Sequence, residues 1–380
     1  MTNRLRVGLV GCGEAIQALH VPALNSLASL YRIEACSDAS REVMGEVAHR
    51  TGARPVENPF DLIRDPDVDV VVIATPDSYH VDHALAACQA KKKAALVEKP
   101  PALNSRIVRK MAEASEESGV PIVMGYPHVY DPATRRAKEL WGEPQPFRFA
   151  QFRTFLGPNE KYTADEILQT IRPSIADRWP ALIGQLDFAA VATELFGSDL
   201  DVNFVVAHGL LIGLVIHDIP VMRRMVGEPV KVDYARAHAM NGPLNLVGLS
   251  LDIILDHGIG RTLMQAEFHE SKMTDWGFLA RRSDLQVEVK FPPTYAAAAP
   301  SSLKATYEKN GMTVEETHGG RFETGFRCEW KHVHEVVTKG IQPLTSARDA
   351  VKDMELIEEI TRTMIRQSNS GPRPEEARNE

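Results

Sequence analysis

Apolar residues in the first third of the chain fall into short unbroken runs, set between stretches with helical spacing. LRVGLV (5–10) reads as a buried strand, GCGEAI as a turn, and a helix follows to about Leu30. IEACS (33–37) reads as a second strand ending at Asp38, with a helix over 40–50. DVDVVVIAT (67–75) shows no alternation, as expected of a strand covered on both faces. A helix over 79–91, the strand AALVEKP (94–100), a helix over 105–118 and the strand PIVMGY (121–126) complete the series. This alternation of strand and helix predicts an α/β unit with a doubly wound parallel sheet, the Rossmann arrangement, over residues 1–125.

The pattern changes after about residue 145. FRFAQFRTF (147–155) alternates like a half-exposed strand. VKVDYARAHAM (230–240), LVGLSLDIILD (246–256), TLMQAEFHE (262–270) and LQVEVKF (285–291) read as long strands with no helices between them. They predict a large, open, mostly antiparallel sheet in a second α/β domain over 126–367. Residues 326–367 return to helical spacing, and the tail from 368 to 380 is nearly devoid of apolar residues and is expected to be disordered. Residues 158–206 fit neither pattern; their apolar part is DRWPALIGQLDFAAVATELFG.

Composition narrows the function classes. The 380 residues are 44% hydrophobic and 25% charged, with a formal net charge of −8, as in a soluble globular protein. Holding nucleic acid would want a concentrated basic face, and composition gives no support for one, so no nucleic-acid partner is expected. The one basic cluster, Lys91-Lys92-Lys93, sits where a helix should end and reads as a solvated cap. Cys12, Cys36, Cys88 and Cys328 have no metal-ligand or paired spacing. Neither disulfides nor a metal site is therefore expected, and the cysteines fit a reducing compartment. No stretch reads as a membrane helix and the N-terminus lacks the features of a signal peptide, so a cytoplasmic location is expected.

Gly11-Cys12-Gly13 stands between the first strand and its helix. Glycines there let the backbone turn tightly and approach a pyrophosphate held at the helix N-terminus. The third small position of the fingerprint is Ile16, with Ala15 before it, which departs from the usual pattern. Asp38 ends the second strand, where a carboxylate can accept hydrogen bonds from an adenosine ribose and repel a 2′-phosphate. That favours NAD, although Ser40 and Arg41 could receive the phosphate of NADP. A plain turn at the glycines and a helix cap at Asp38 would use the same residues.

GLVGCGEAIQALHVPAL (8–24), ATPDSYHVDHALAAC (74–88), VEKPPALN (97–104), MGYPHVYDPA (124–133) and GLVIHDIPVMRRMVGEP (213–229) occur in order. Together they resemble the glucose-fructose oxidoreductase / inositol dehydrogenase / MocA (Gfo/Idh/MocA) family. The resemblance implies NAD or NADP, a sugar, cyclitol or related polyol substrate, and a homodimer or homotetramer built through the second sheet. It places Thr75, Pro76 and His80 on the nicotinamide-side loop, with Asp77 where the family usually has Asn. Glu98, Lys99 and Pro100 match the EKP motif, whose lysine bonds the reacting hydroxyl and whose Lys–Pro peptide is implied to be cis. His217 matches the family's proton acceptor. An Asp often stands four residues before that histidine, but here the position is Gly213, and Pro220 replaces another common Asp. Either a group from residues 158–206 or from Tyr126 and His128 fills that place, or the chemistry differs; Asp218, adjacent to the histidine, points about 100° away on a helix and is a poor substitute. Lys99, Tyr126, His128 and His217 are the candidates for binding the substrate.

The resulting expectation is a dehydrogenase or reductase acting on CH–OH groups. Lys99 and His217 would be catalytic, and Gly11, Cys12, Gly13, Ala15, Ile16, Asp38, Thr75, Pro76, His80, Glu98 and Lys99 would hold the cofactor. Two alternatives share the resemblance: a non-catalytic regulator that senses NAD(P) or sugar, and a glycoside hydrolase that uses tightly bound NAD.

Overall fold

β1 (Leu5–Val10) is buried over nearly its whole length. The chain then turns into a helix that begins at Glu14, passes through a π turn over Ile16–His20 and continues as α1 (Val21–Ser26). The coordinates are a computed structural model that describes residues 4–157, 171–172, 179–198, 200–239, 248–271, 273–293, 295, 299–319 and 323–369.

β2 (Tyr31–Ser37), α2 (Arg41–Thr51), the short β3 (Arg54–Pro55) and α3 (Pro59–Arg64) follow. Next come β4 (Val70–Ile73), α4 (His80–Gln89), β5 (Ala94–Glu98), α5 (Ser105–Ser118) and β6 (Ile122–Gly125). The strands pair in parallel in the order β3-β2-β1-β4-β5-β6. Strand order reverses between β1 and β4, so their C-terminal ends open the crevice in which such sheets bind ligands. β4 and β5 are buried at every position, which explains their lack of alternation.

Two short helices, α6 (Pro127–Tyr130) and α7 (Pro132–Trp141), lead to β7 (Phe149–Leu156). α8 (Trp179–Phe196), α9 (Val202–Gly213) and α10 (Asp218–Val226) precede the remaining strands. These are β8 (Lys231–Ala239), β9 (Leu249–Asp256), β10 (Arg261–Phe268), β11 (Asp275–Arg281), β12 (Leu285–Lys290), β13 (Ser302–Lys309) and β14 (Met312–Gly319). They form one eight-stranded sheet in the order β14-β13-β12-β11-β7-β10-β9-β8, antiparallel except for β7 with β10. Burial alternates along β7, β9 and β12, so one face is covered and the other is more open.

The last two helices, α11 (Gly325–Lys339) and α12 (Ala347–Asn369), return to the first domain. α12 packs on both α5 and β8, and the Tyr31 hydroxyl donates to the Trp330 carbonyl at 2.7 Å. The chain therefore closes on itself, and the two sheets share a set of helices.

Four readings need correction. β11, β13 and β14 were not expected; Trp276-Gly277 and the charged run through β14 hide their alternation. The helical run Val202–Val226 is long and apolar enough to cross a membrane, contrary to the reading above; most of it is buried inside the protein as a core helix. α12 extends to Asn369, two residues into the expected tail, and the rest of the tail lies outside the described residues. Finally, Lys92 is no solvated cap. Its stem is buried and its ammonium donates to the carbonyls of Asp65 at 2.5 Å and Val68 at 2.6 Å. Lys92→Ala should cost about 1–3 kcal/mol, because one buried and one half-buried carbonyl lose their partner. A change below about 0.5 kcal/mol in chemical unfolding would contradict that role.

Candidate active site

The glycine turn is held tightly. Gly11 has φ +91°, and a Cβ there would lie 2.5 Å from the Ala74 carbonyl oxygen at the end of β4. Only glycine lets the two strand ends approach so closely. Around Gly13, by contrast, an added Cβ would meet nothing within 4 Å. Asp38 braces the turn: its carboxylate accepts from the Cys12 amide at 2.7 Å and the Ser40 amide at 2.8 Å. Ser40, not Asp38, caps α2, and it is fully buried. Arg41 pairs with Glu57 at 2.8 Å. Ile16 is core, whereas its neighbour Ala15 faces a large cavity.

A contact absent from the sequence reading covers this helix. The Gln17 carboxamide pairs with the backbone of Ile171, accepting from its N–H at 2.9 Å and donating to its carbonyl at 2.9 Å. Gln17 also donates to the Cys12 carbonyl at 2.7 Å, and Arg172 pairs with Glu14 at 2.8 Å. Only the bidentate potential of a glutamine near the glycines could have signalled it.

The cavity, of about 950 Å³, lies between the C-terminal ends of the parallel strands and the second domain. Thr75, His80, Glu98, Lys99, His128 and His217 all line it. His80 ties two loops together: its ring nitrogens lie 2.8 Å from the Pro100 carbonyl and 2.7 Å from the Thr75 carbonyl. The Lys99–Pro100 peptide is cis. Glu98 is buried behind Lys99 and contacts His20 Nε2 at 2.7 Å, while His20 Nδ1 accepts from Trp330 Nε1 at 3.1 Å. Because indole can only donate, the His20 proton sits on Nε2 and points at Glu98. Burial raises the pKa of the Glu98 carboxyl, but the His20 hydrogen bond and the nearby Lys99 more than offset it and hold the carboxyl below its ordinary range.

Lys99 extends across the domain boundary, and its ammonium donates to the Gly213 carbonyl at 3.0 Å. Thus the position where a carboxylate is often expected supplies a backbone oxygen instead. His217 follows one helical turn later. Its pKa lies well below the usual 6.5 because of burial, with Lys99 and His128 adding to the effect, so the imidazole is neutral near pH 7. Burial alone lowers His128 to about 3. The two rings are 5.5 Å apart, and both contact Trp276. Nδ1 of each has no hydrogen-bond partner among the described residues.

Asp218 does not join His217 in the cavity. It turns inward, accepts from Thr154 Oγ1 and from Trp276 Nε1 at 3.0 Å, and is raised by burial from 3.8 to about 7. Tyr126 also lies elsewhere: it lines a second cavity of about 180 Å³ with Pro220, Arg223 and Asp353. Pro76 lies between lining residues without lining the main cavity itself.

Residues 5–126 match the family described as "Oxidoreductase family, NAD-binding Rossmann fold" (GFO_IDH_MocA). The N-terminal domain belongs to the Gfo/Idh/MocA oxidoreductase family. Relatives with similar sequences include inositol 2-dehydrogenase 2 of Saccharopolyspora erythraea, 36% identical over 138 residues, which are 36% of this chain and 40% of the relative. Another is 1-carboxy-3-chloro-3,4-dihydroxycyclohexa-1,5-diene dehydrogenase of Comamonas testosteroni, 31% identical over 137 residues, 36% of this chain and 34% of the relative. The matches thus span well under half the length of these relatives. The likeness in fold is longer. The aldose-aldose oxidoreductase of Caulobacter crescentus superposes with a TM-score of 0.69 at 17% identity, covering 96% of this chain and 98% of that one. A 3-ketoreductase of Actinomadura kijaniata, solved with NADP and TDP-benzene, gives 0.67 at 16%, covering 95% and 98%.

Asp218 makes stability depend on pH. The folded chain keeps its proton up to about pH 7, whereas the unfolded chain releases it near 3.8. Its stabilising contribution is full below the unfolded value and lost as pH rises through the folded one. Asp218→Asn should therefore flatten the fall in urea midpoint across that interval; parallel curves for variant and parent would contradict the assignment.

Proposed function

We propose that this chain is an NAD(P)-dependent oxidoreductase that interconverts a secondary alcohol and its ketone, on a sugar, a cyclitol or a derivative of one. The observation carrying this reading is the meeting of the Lys99 ammonium and the neutral His217 imidazole in one cavity, beside the loops that end β4 and β5.

The open space at Gly13 and the close approach at Gly11 suit a dinucleotide, with Ala15 and Thr75 at the same crevice. The nicotinamide, when bound, takes up or gives the hydride. The chain's own residues manage the oxygen. Lys99 donates to the substrate oxygen and stabilises the negative charge that grows on it as the C–H bond breaks. His217 accepts the hydroxyl proton in oxidation and returns it in reduction. The Gly213 carbonyl steers Lys99 without neutralising it, and Glu98, held by His20, sits behind the same loop. His80 fixes the spacing of the Thr75 and Pro100 loops.

Within this reading NAD is favoured over NADP. Asp38 ends β2 beside the glycine turn, where a carboxylate can accept from a ribose and repel a 2′-phosphate, Ser40 is turned into the helix cap, and Arg41 is engaged by Glu57. A homodimer or homotetramer built through the more open face of the eight-stranded sheet belongs to the same proposal.

Lys99→Ala should lower kcat by about 10²–10³, with cofactor affinity changed less than threefold in a titration of bound NADH. Unchanged turnover would remove Lys99 from the chemistry. Asp38→Ala should weaken NAD more than NADP, measured as the ratio of their Kd values; an equal effect on both would leave the cofactor preference without basis.

A further inference from the structure

α9 turns Val206, Gly209, Leu210 and Gly213 to the main cavity, and Leu214 just beyond it adds to the same wall. The spacing is that of one helical stripe, and no side chain on it can donate or accept a hydrogen bond. The histidine of this helix points away: His208 is buried and bonds Thr361 Oγ1 at 2.9 Å. Leu19, Leu156, Phe268 and Phe326 continue the apolar lining. Among the described lining residues, hydrogen-bonding side chains stand instead around Lys99, His217 and His128 and on the wall formed by Tyr295, Ser301 and Thr324, away from the α9 stripe. The other buried carboxylate on the wall, Asp131, is already committed, accepting from Ser301 Oγ at 2.7 Å and the Ala133 amide at 2.9 Å.

Such a wall suits a free polyol poorly. Each hydroxyl buried without a partner costs about 1–3 kcal/mol, and a ring bearing one on every carbon would lay several against α9. An added Cβ at Gly213 would meet nothing within 4 Å, so the wall at the end of α9 is open toward the cavity.

We infer that the substrate is amphipathic: a cyclic secondary carbinol, or its ketone, attached to an apolar body that lies along α9 while the carbinol meets Lys99 and His217. This rests on the oxidoreductase reading for the reaction, but not for the fit of the apolar body. The body could be the aglycone of a glycoside or the fused ring of an alicyclic diol; the chemistry recognised is the same.

Calorimetric titration of the full chain loaded with NADH tests it, using matched pairs. Phenyl β-D-glucoside is compared with methyl β-D-glucoside, and 1,2-dihydroxytetralin with cyclohexane-1,2-diol. At least one apolar member should bind about tenfold more tightly than its partner, as burial of a ring against an aliphatic wall predicts. The pair showing the larger ratio identifies the source of the apolar body. Leu210→Asn, and the milder Val206→Thr should the first fail to fold, should reduce that ratio to about threefold or less. If neither apolar member binds more tightly, or if myo-inositol binds better than both, the inference is overturned. NADH formation from the same compounds with NAD reports separately on the reaction. Tight binding of an apolar member without turnover would sink the oxidoreductase reading and leave the amphipathic ligand standing. Preferential turnover of myo-inositol would do the reverse.

Discussion

One hydrogen bond joins the chemistry of the two domains: Lys99, at the end of a buried parallel strand, donates to the Gly213 carbonyl at the end of a core helix, at 3.0 Å. A strand end has few ways to aim a long flexible side chain across a cavity, and a fixed acceptor on the far wall supplies one. A carbonyl orients the ammonium but brings no opposing charge. The proposed reaction uses that ammonium to face an oxygen that becomes negative as hydride leaves. Burial, with Lys99 and His128 adding to it, keeps His217 neutral near pH 7.

The supporting contacts serve this constraint. Trp330, on a C-terminal helix, orients His20, which orients Glu98, which sits directly before Lys99. His80 locks the loop after β4 to the cis-peptide loop after β5. Residues far apart in the chain thus converge on one lysine, and the closing helices are needed to complete a site whose lysine lies in the first domain.

Much of this was legible before any coordinates. Continuous apolar runs gave the parallel sheet because both its faces are covered, and the alternation in β7, β9 and β12 marked a sheet with one face more open. Gly11 was legible because a tight turn after the first strand needs glycine, whereas Lys99 and His217 were singled out with the help of the family resemblance, and both line the main cavity. Other features were not legible, for physical reasons. Asp38 binds the amides of its own turn, a local geometry that no spacing encodes. Lys92 looked solvated because a buried ammonium depends on two carbonyls distant in sequence. Tyr126 was near the motif in sequence but lines a different cavity, since neighbouring positions on a turn point in different directions. The Gln17–Ile171 pairing joins segments 154 residues apart, beyond any local pattern.

A crystal structure of the chain with NAD would test the central arrangement most directly. The account predicts the nicotinamide ring in the main cavity, with Lys99 Nζ and a His217 ring nitrogen within about 3–3.5 Å of a common point where a substrate oxygen can sit. A dinucleotide bound elsewhere, or a ring separated from both side chains by the wall of the cavity, would contradict it.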